Sequence, residues 1–319
     1  MSELAPQELR VLVAVAEAGG FSAAAHRLGI TQSAVSHSVR GSEAKVGAVL
    51  FDRGRTGASP TPAGERAVAL GRRILRLYEV LGAEARAAGR AAAGPGVAEG
   101  VLRIAAFRSA ALHLLPPALE RLAARHPGIR PEVRVVRELG PGTAGEVAAG
   151  RADLAIATLS GPVPGPPSGP PSGPPSAPPS APPSGLPDGL PDGLLSGELT
   201  REAYSLVHPA GHPDPKALPL LDWDENCGSY TRDWWRAQDW IPRATVKAED
   251  DAMVLTMVGR GLGMAILPEL SLREATDAVE IAGLGPEGPV RRVGYVTTPE
   301  LVSTVAVRAL IRELRAERG

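Results

Sequence analysis

Over roughly the first ninety residues the apolar positions recur at helical spacing, and beyond Gly94-Pro95-Gly96 they fall into short strands alternating with helices. Leu9, Leu12, Val13 and Ala16 form the stripe of a first helix from about Pro6 to Ala18, with proline in its first turn and Gly19-Gly20 at its end. The stretch Phe21 to Arg40 reads as two short helices joined at Gly29, with Ser22 and Thr31 placed to cap their N-termini. Ala24, Ala25, Leu28, Ile30, Ala34, Val35 and Val39 can bury one face of the pair. Thr31, Gln32, Ser33, Ser36, His37 and Arg40 remain on the outer face of the second helix, all hydrogen-bond formers with no negative charge among them. Such a face suits the major groove of double-stranded DNA, and it equally fits a helical hairpin with a solvated polar side.

The recognition helix finishes over 43–49, and residues 50–61 make a short excursion anchored by Leu50 and Phe51. Its Gly-rich tip carries Arg53 and Arg55, which a wing lying along phosphates would need; either alone would read as a solvated loop cation. From Thr61 one long helix is expected, capped by Thr61 with Pro62 at its first position. Val68, Leu70, Ile74, Leu75, Leu77 and Leu81 give it an apolar face too long for the small N-terminal core to cover. A second copy of the chain would cover it, presenting two recognition helices to a two-fold-related DNA site.

These residues carry a family likeness. The run LxxLxxLxxVAEAGGFSAAAHRLGITQSAVSHSVR, followed by LFDR and TPAGE, resembles the N-terminal winged helix-turn-helix of LysR-type transcriptional regulators in order and spacing over residues 4–64. Two positions depart from the family pattern, Ser42 where an apolar residue is usual and Pro60 where leucine is usual. The resemblance implies an α+β multidomain protein: a winged helix-turn-helix DNA-binding domain over 1–61, a linker and dimerisation helix over 62–93, and an effector-binding domain over 94–319. The last would be an α/β periplasmic-binding-protein-like fold of two subdomains.

The C-terminal pattern agrees with that order. Strands are expected at 101–106, 131–136 and 154–157, with helices at 112–126 and 143–149 between them, a βαβαβ succession that implies a parallel sheet. Gly150 to Ile156 is similar to the family's G-x-x-D-L-A-I. Residues 161–193 hold fourteen of the thirty-two prolines in Pro-Pro-Ser-Gly and Gly-Leu-Pro-Asp repeats. Without apolar partners they cannot form a core, so a disordered, partly polyproline II insertion is expected, either a tolerated surface expansion or a lid or partner ligand near the cleft rim. A strand at 199–208, a strand at 244–248, a helix at 251–258, a strand at 263–267, a closing strand at 290–296 and a final helix at 303–318 complete the chain.

A ligand cleft is expected where the strands of the parallel sheet end. Arg108 and Ser109 follow its first strand and Thr158 its third; with Asp250, and with Ser229 and Tyr230 from the segment that the family places along the cleft, they are the candidate effector-binding residues. All four tryptophans (Trp223, Trp234, Trp235 and Trp240) crowd beside Tyr230 and the lone Cys227, either packing a helix on the second sheet or walling the effector pocket. Cys227 has no resolving partner for redox sensing, so an inert thiol is the plainer reading.

Composition narrows the class further. The formal net charge of −1 hides a split: residues 1–90 hold 12 Lys and Arg against 8 Asp and Glu, or +4, leaving 22 against 27, or −5, for the remainder. The basic N-terminal part therefore attracts polyanions and the larger acidic remainder does not. One cysteine excludes an intramolecular disulfide framework, and a cytoplasmic protein without signal peptide or membrane span is expected. No metal or cofactor is expected: Pro209 and Gly211 keep His208 and His212 off one helical face, and Gly259–Pro268 has helix and strand in the reverse order of a dinucleotide fingerprint. An enzyme or solute carrier built on the C-terminal fold is the alternative, but no catalytic constellation or export signal accompanies it. The expected function is a non-enzymatic, sequence-specific transcriptional regulator, a homodimer or homotetramer answering to an unknown small-molecule effector. His37→Ala is expected to weaken preference for one sequence, whereas Arg55→Ala lowers affinity for all duplexes alike; gel retardation against a scrambled duplex separates the two.

Overall fold

The computed structural model describes residues 3–54, 57–91, 99–159, 190–191, 193–223, 234–235 and 237–316. Most of the expected insertion at 161–193, along with Arg55, Cys227, Ser229 and Tyr230, lies outside them.

Three helices build the N-terminal unit: α1 (Pro6–Ala18), α2 (Phe21–Leu28) and α3 (Gln32–Val46). Glu8 closes the start of α1 by accepting from the Ala5 N–H at 2.7 Å, and its carboxylate also takes Lys45 Nζ from the end of α3 at 2.7 Å. The hydrogen bond from Lys45, joined by that from Ala5, holds the Glu8 carboxyl below its usual range. Ser22 does not cap α2. That helix begins two residues earlier than a cap at Ser22 would set, Gly20 is its N-cap, and Ser22 falls inside the first turn. Thr31 does cap α3, its Oγ1 accepting from the Ala34 N–H at 3.2 Å.

The excursion after α3 forms the hairpin β1 (Phe51–Gly54) and β2 (Gly57–Pro60), antiparallel with Phe51 opposite Pro60. Glu43 pins its start: Oε1 accepts from the Leu50 N–H at 2.9 Å and the Phe51 N–H at 3.3 Å. Its return strand lies on the end of α1, where the Ala58 N–H donates to the Gly19 carbonyl at 2.9 Å. Gly57 sits against that same carbonyl at φ 137°, where a Cβ would collide with it. Ser42, the departure from the family pattern, is fully buried, and its hydroxyl is satisfied by the Ser38 carbonyl at 2.9 Å.

The long helix α4 (Pro62–Ala91) starts as expected, with Thr61 Oγ1 accepting from the Gly64 N–H at 3.0 Å. Its first turns belong to the N-terminal core, where Val68 packs with Val11, Leu12, Val15, Val35, Val39 and Phe51.

Beyond it, β3 (Glu99–Ala106), α5 (Arg108–His113), α6 (Leu115–Arg125), β4 (Gly128–Val135), α7 (Gly142–Ala148) and β5 (Leu154–Thr158) form the first subdomain. Both β4 and β5 run parallel to β3. The single helix expected at 112–126 is two, because Pro116 and Pro117 supply no N–H to the turn before them and the chain restarts at Leu115.

Strand β6 (Leu195–Pro209) then crosses both halves. Its first part pairs antiparallel with β11 (Val290–Thr297), which lies beside β5; its second part pairs with β9 (Ala265–Pro268) and β10 (Val279–Gly283). The second subdomain adds the parallel pair β7 (Leu220–Trp223) and β8 (Ala244–Ala248), with α8 (Asp251–Gly259) and α9 (Glu269–Leu272). After β11 come α10 (Pro299–Val302) and α11 (Val305–Arg315), the latter packed on the first core through Val307, Leu310 and Leu314.

The subdomains have separate cores, one around Leu102, Ile104, Leu122, Leu154 and Ile156 and the other around Val207, Leu221, Trp223, Val254 and Leu267. Trp234, Trp235 and Trp240 pack against Tyr204, Leu206 and Ile266 on the second sheet.

One ion pair fastens α4 to the first subdomain. Arg76, 9% exposed, donates through Nε and Nη2 to the two oxygens of Asp153, 1% exposed, each at 2.7 Å. Nη2 also reaches the Val101 carbonyl at 2.6 Å, and Asp153 Oδ2 accepts from the Arg103 N–H at 2.9 Å. Removing one member strands the other charge, so Asp153→Ala is expected to destabilise the C-terminal half by about 3–5 kcal/mol, read by urea unfolding followed through the tryptophans.

On β6, hydrogen bonds from Arg201 and Arg292 hold the Glu198 carboxyl down from 4.5 to about 2. Folded Glu198 thus binds its proton later than the unfolded chain, so its contribution is complete above about 4.5 and is lost as pH falls towards 2. Glu198→Gln is expected to flatten the fall in Tm across that window; an unchanged acid limb would remove Glu198 from it.

Candidate nucleic-acid interface and effector cleft

The exposed side of α3 is built by its first two turns. Gln32, Ser33, Ala34, His37 and Arg40 are exposed, while Val35, Ser36 and Val39 face the core. Three expectations change here, at Ser36, Ala34 and Ile30. Ser36 is only 8% exposed, and its Oγ accepts from Gln32 Nε2 at 3.4 Å, so it steadies Gln32 from beneath. Ala34, expected inside, points outward, and Ile30 is 37% exposed. The buried line 35, 36, 39 and 42 explains the shifts at 34 and 36, since it turns residue 34 away from the core and residue 36 into it.

Thr31 Oγ1 and Ser33 Oγ lie 2.9 Å apart beside the helix start. Among the described residues, the His37 and Arg40 side chains make no hydrogen bond or ion pair, so their donors are available. Arg53 stands on β1 opposite Ala58. A short capped helix with neutral donors and acceptors at its tip, and a hairpin at its flank, has the shape and chemistry of a groove reader.

The second site lies between the subdomains, at the C-terminal ends of β3, β4 and β5. Phe107, Arg108 and Ser109 follow β3 and Glu138 follows β4; Trp223 at the end of β7, Asp250 and Asp251 at the head of α8, and Arg291 near the start of β11 complete the wall. Thr158 ends β5 and donates its N–H to Glu138 Oε2 at 3.3 Å. Ser109 is 2% exposed, and the Asp250 carboxylate caps α8 by accepting from the Met253 N–H at 2.8 Å.

The cleft is shut by charge. Arg108 reaches from the first subdomain to Asp251 at 2.9 Å and Glu274 at 2.6 Å, and Arg137 donates to the Glu249 carbonyl at 3.1 Å. The accessible volume left between the walls is about 30 Å³, room for about one water. Burial raises the Glu138 carboxyl above its usual range, against the opposing pull of the Thr143 hydroxyl and backbone N–H groups.

Arg108, Ser109 and Asp250 therefore line one cleft, with Thr158 hydrogen-bonded to the Glu138 that completes it. Sequence reasoning missed Glu138, Asp251 and Arg291. The rule that ligands sit past the carboxyl ends of parallel strands would have found Glu138; Arg291 stands on an antiparallel strand and gives no such signal. Among the described residues, no cluster of three or more His, Cys, Asp or Glu could hold a metal ion, and no helix is long and apolar enough to cross a membrane.

Comparison with known proteins places two family models on the chain. Residues 6–65 match the bacterial regulatory helix-turn-helix model of the LysR family, and residues 95–168 and 184–319 match the LysR substrate-binding domain. The probable transcriptional regulator LrrA of Synechococcus elongatus is 32% identical over 83% of this chain and 81% of its own length. Two solved structures share the fold. ArgP of Mycobacterium tuberculosis has a TM-score of 0.67 at 21% identity over 98% of this chain and 97% of its own. Full-length CbnR in complex with its target DNA has a TM-score of 0.60 at 18% identity over 98% and 99%. The chain belongs to the LysR family: it is a DNA-binding transcriptional regulator with an effector-binding domain.

Proposed function

We propose that two copies of this chain join along α4 and place their α3 helices in successive major grooves of one DNA site, and that a small molecule in the intersubdomain cleft alters that placement. The observation that carries the pairing is the outer face of α4. Leu70, Ile74, Leu77, Tyr78 and Leu81 are exposed by 47%, 43%, 37%, 54% and 65%, a stripe at helical spacing that a lone chain leaves in water.

In this reading Gln32, Ser33, His37 and Arg40 meet base edges, Ala34 offers its methyl to a thymine, and Thr31 holds the helix start. Ser36 supports Gln32, and Arg53 and Arg55 follow the phosphates. Arg108, Ser109, Thr158, Ser229, Tyr230 and Asp250 take the effector, with Glu138, Asp251 and Arg291 beside them. The division into 1–61, 62–93 and 94–319 follows, the first two parts forming one DNA-reading arm. The chain performs no catalysis, and its work lies where the bacterial chromosome is, in the cytoplasm.

Retardation of the DNA upstream of its own gene by the full-length protein, falling steeply with salt, tests the whole reading. A double variant Ile74→Glu and Leu81→Glu is expected to sediment as a monomer with unchanged helix content and to lose at least about 100-fold in affinity for a two-fold site, as the second arm's avidity disappears. A variant that stays paired would overturn the α4 assignment.

A further inference from the structure

The cleft carries a charge pattern that narrows its ligand. Arg291 lies beneath it: Nε donates to Glu202 Oε1 at 2.6 Å, and the guanidinium stacks 4.7 Å from the centre of the Phe107 ring. Glu202 is itself 3% exposed, and its second oxygen accepts from the Leu270 N–H at 2.7 Å. Arg291 Nη2 is different. Arg291 lines the cleft, and its Nη2 is buried with no hydrogen-bond partner among the described residues. A guanidinium edge left unpaired in a dry site is costly, so this edge asks for an acceptor oxygen.

The rest of the lining has the opposite sign. Glu138, Asp250 and Asp251 face the same cleft, with Glu202 and Glu274 just behind; among the described residues the cations there are Arg108 and Arg291, with Arg137 at the rim. Arg108 is already shared between Asp251 and Glu274. A plain anion would satisfy Arg291 but add like charge to this acidic wall, and a plain cation would suit the wall but leave Arg291 Nη2 bare. One molecule bearing both charges a bond or two apart answers both demands.

We infer that the effector is a small zwitterion of the α-amino-acid class, its carboxylate on Arg291 Nη2 and its ammonium towards Asp250 and Glu138. This rests on the cleft being the effector site. The accessible space of about 30 Å³ is too small for such a head group, so the ligand enters as the Arg108 bridges to Asp251 and Glu274 part. Phe107 and Trp223 then flank whatever apolar part it carries.

The test uses the full-length protein and a thermal-shift screen of the twenty common amino acids, each at millimolar concentration, beside a panel of simple carboxylates, amines, sugars and nucleosides. At least one amino acid is expected to raise Tm, while its deaminated acid and its decarboxylated amine do not. Arg291→Gln is expected to weaken that ligand at least tenfold, and Arg291→Lys, which restores the charge without the fork, to recover part of the loss. Equal binding of the deaminated acid or the amine, or silence of all twenty amino acids, overturns the inference. Hydrogen exchange on whichever compound binds separates this from the wider reading. Protection at 107–109 and 250–251 by a ligand that is not a zwitterion sinks the class alone, whereas protection confined elsewhere sinks the cleft as effector site.

Discussion

Asp153 and Arg76 bring opposite charges together almost entirely out of water, and the arrangement of the whole chain turns on that meeting. Two unit charges can be buried only if every strong donor and acceptor around them is used. Here the guanidinium fork takes both carboxylate oxygens and the Val101 carbonyl, while Asp153 Oδ2 also receives the Arg103 N–H. The Asp153 carbonyl is engaged as well, accepting from Thr297 Oγ1 at 2.6 Å. A helix rooted in the DNA-reading arm is thus socketed where β3, β5 and β11 begin or end. Gly150 completes the seat: its φ of 69° turns the loop onto α4, and a Cβ there would press on Arg72. The G-x-x-D spacing of this segment therefore has a mechanical reason, a glycine for close approach and an aspartate for the fork.

The same economy governs the N-terminal unit, whose core is small. Twelve buried apolar residues hold three helices and a hairpin together, and one of them, Val68, comes from α4. Polar pins make up for limited area: Glu43 holds the two amides that open the hairpin, and Glu8 ties both ends of the helical trio through Ala5 and Lys45. Glu17 adds exposed bridges to Arg27 and Arg72. Because α4 takes part in the core at one end and in the Asp153 socket further along, the recognition helix and the effector domain are held by one continuous rod.

What could be read from the residues divides along physical lines. Elements with strong punctuation were legible: Pro6 and Gly19 bracket α1, Thr61 and Pro62 open α4, and Thr31 caps α3. The orientation of α3 was not, because small polar residues fill most of its length and a serine can replace an apolar residue when its hydroxyl bonds back to the helix, as Ser42 does to Ser38. Hydropathy then leaves the buried line undecided by one residue, enough to exchange Ala34 and Ser36. In the cleft, residues that follow parallel strands could be placed from the strand order alone. Arg291 could not, since only tertiary folding brings β11 beside Phe107 and Glu202.

The strength of the two joints decides which of them can move. Across the cleft, Arg108 is 28% exposed and its partners Glu274 and Asp251 33% and 10%, and the Arg137 contact to the Glu249 carbonyl is exposed. A pair with as much access to water as Arg108–Glu274 contributes about 0.2–1 kcal/mol, so a ligand of ordinary affinity can replace it. The Arg76–Asp153 socket, dry on both sides, costs several times more to open. Among the described residues the chain passes between the subdomains along β6 and between β10 and β11. A strand of five residues, β5, starts at the socket with Leu154 next to Asp153 and ends at the cleft with Thr158. Five residues therefore separate the α4 socket from the cleft wall, and Arg76 fixes α4 to the same subdomain that carries Arg108 and Glu138.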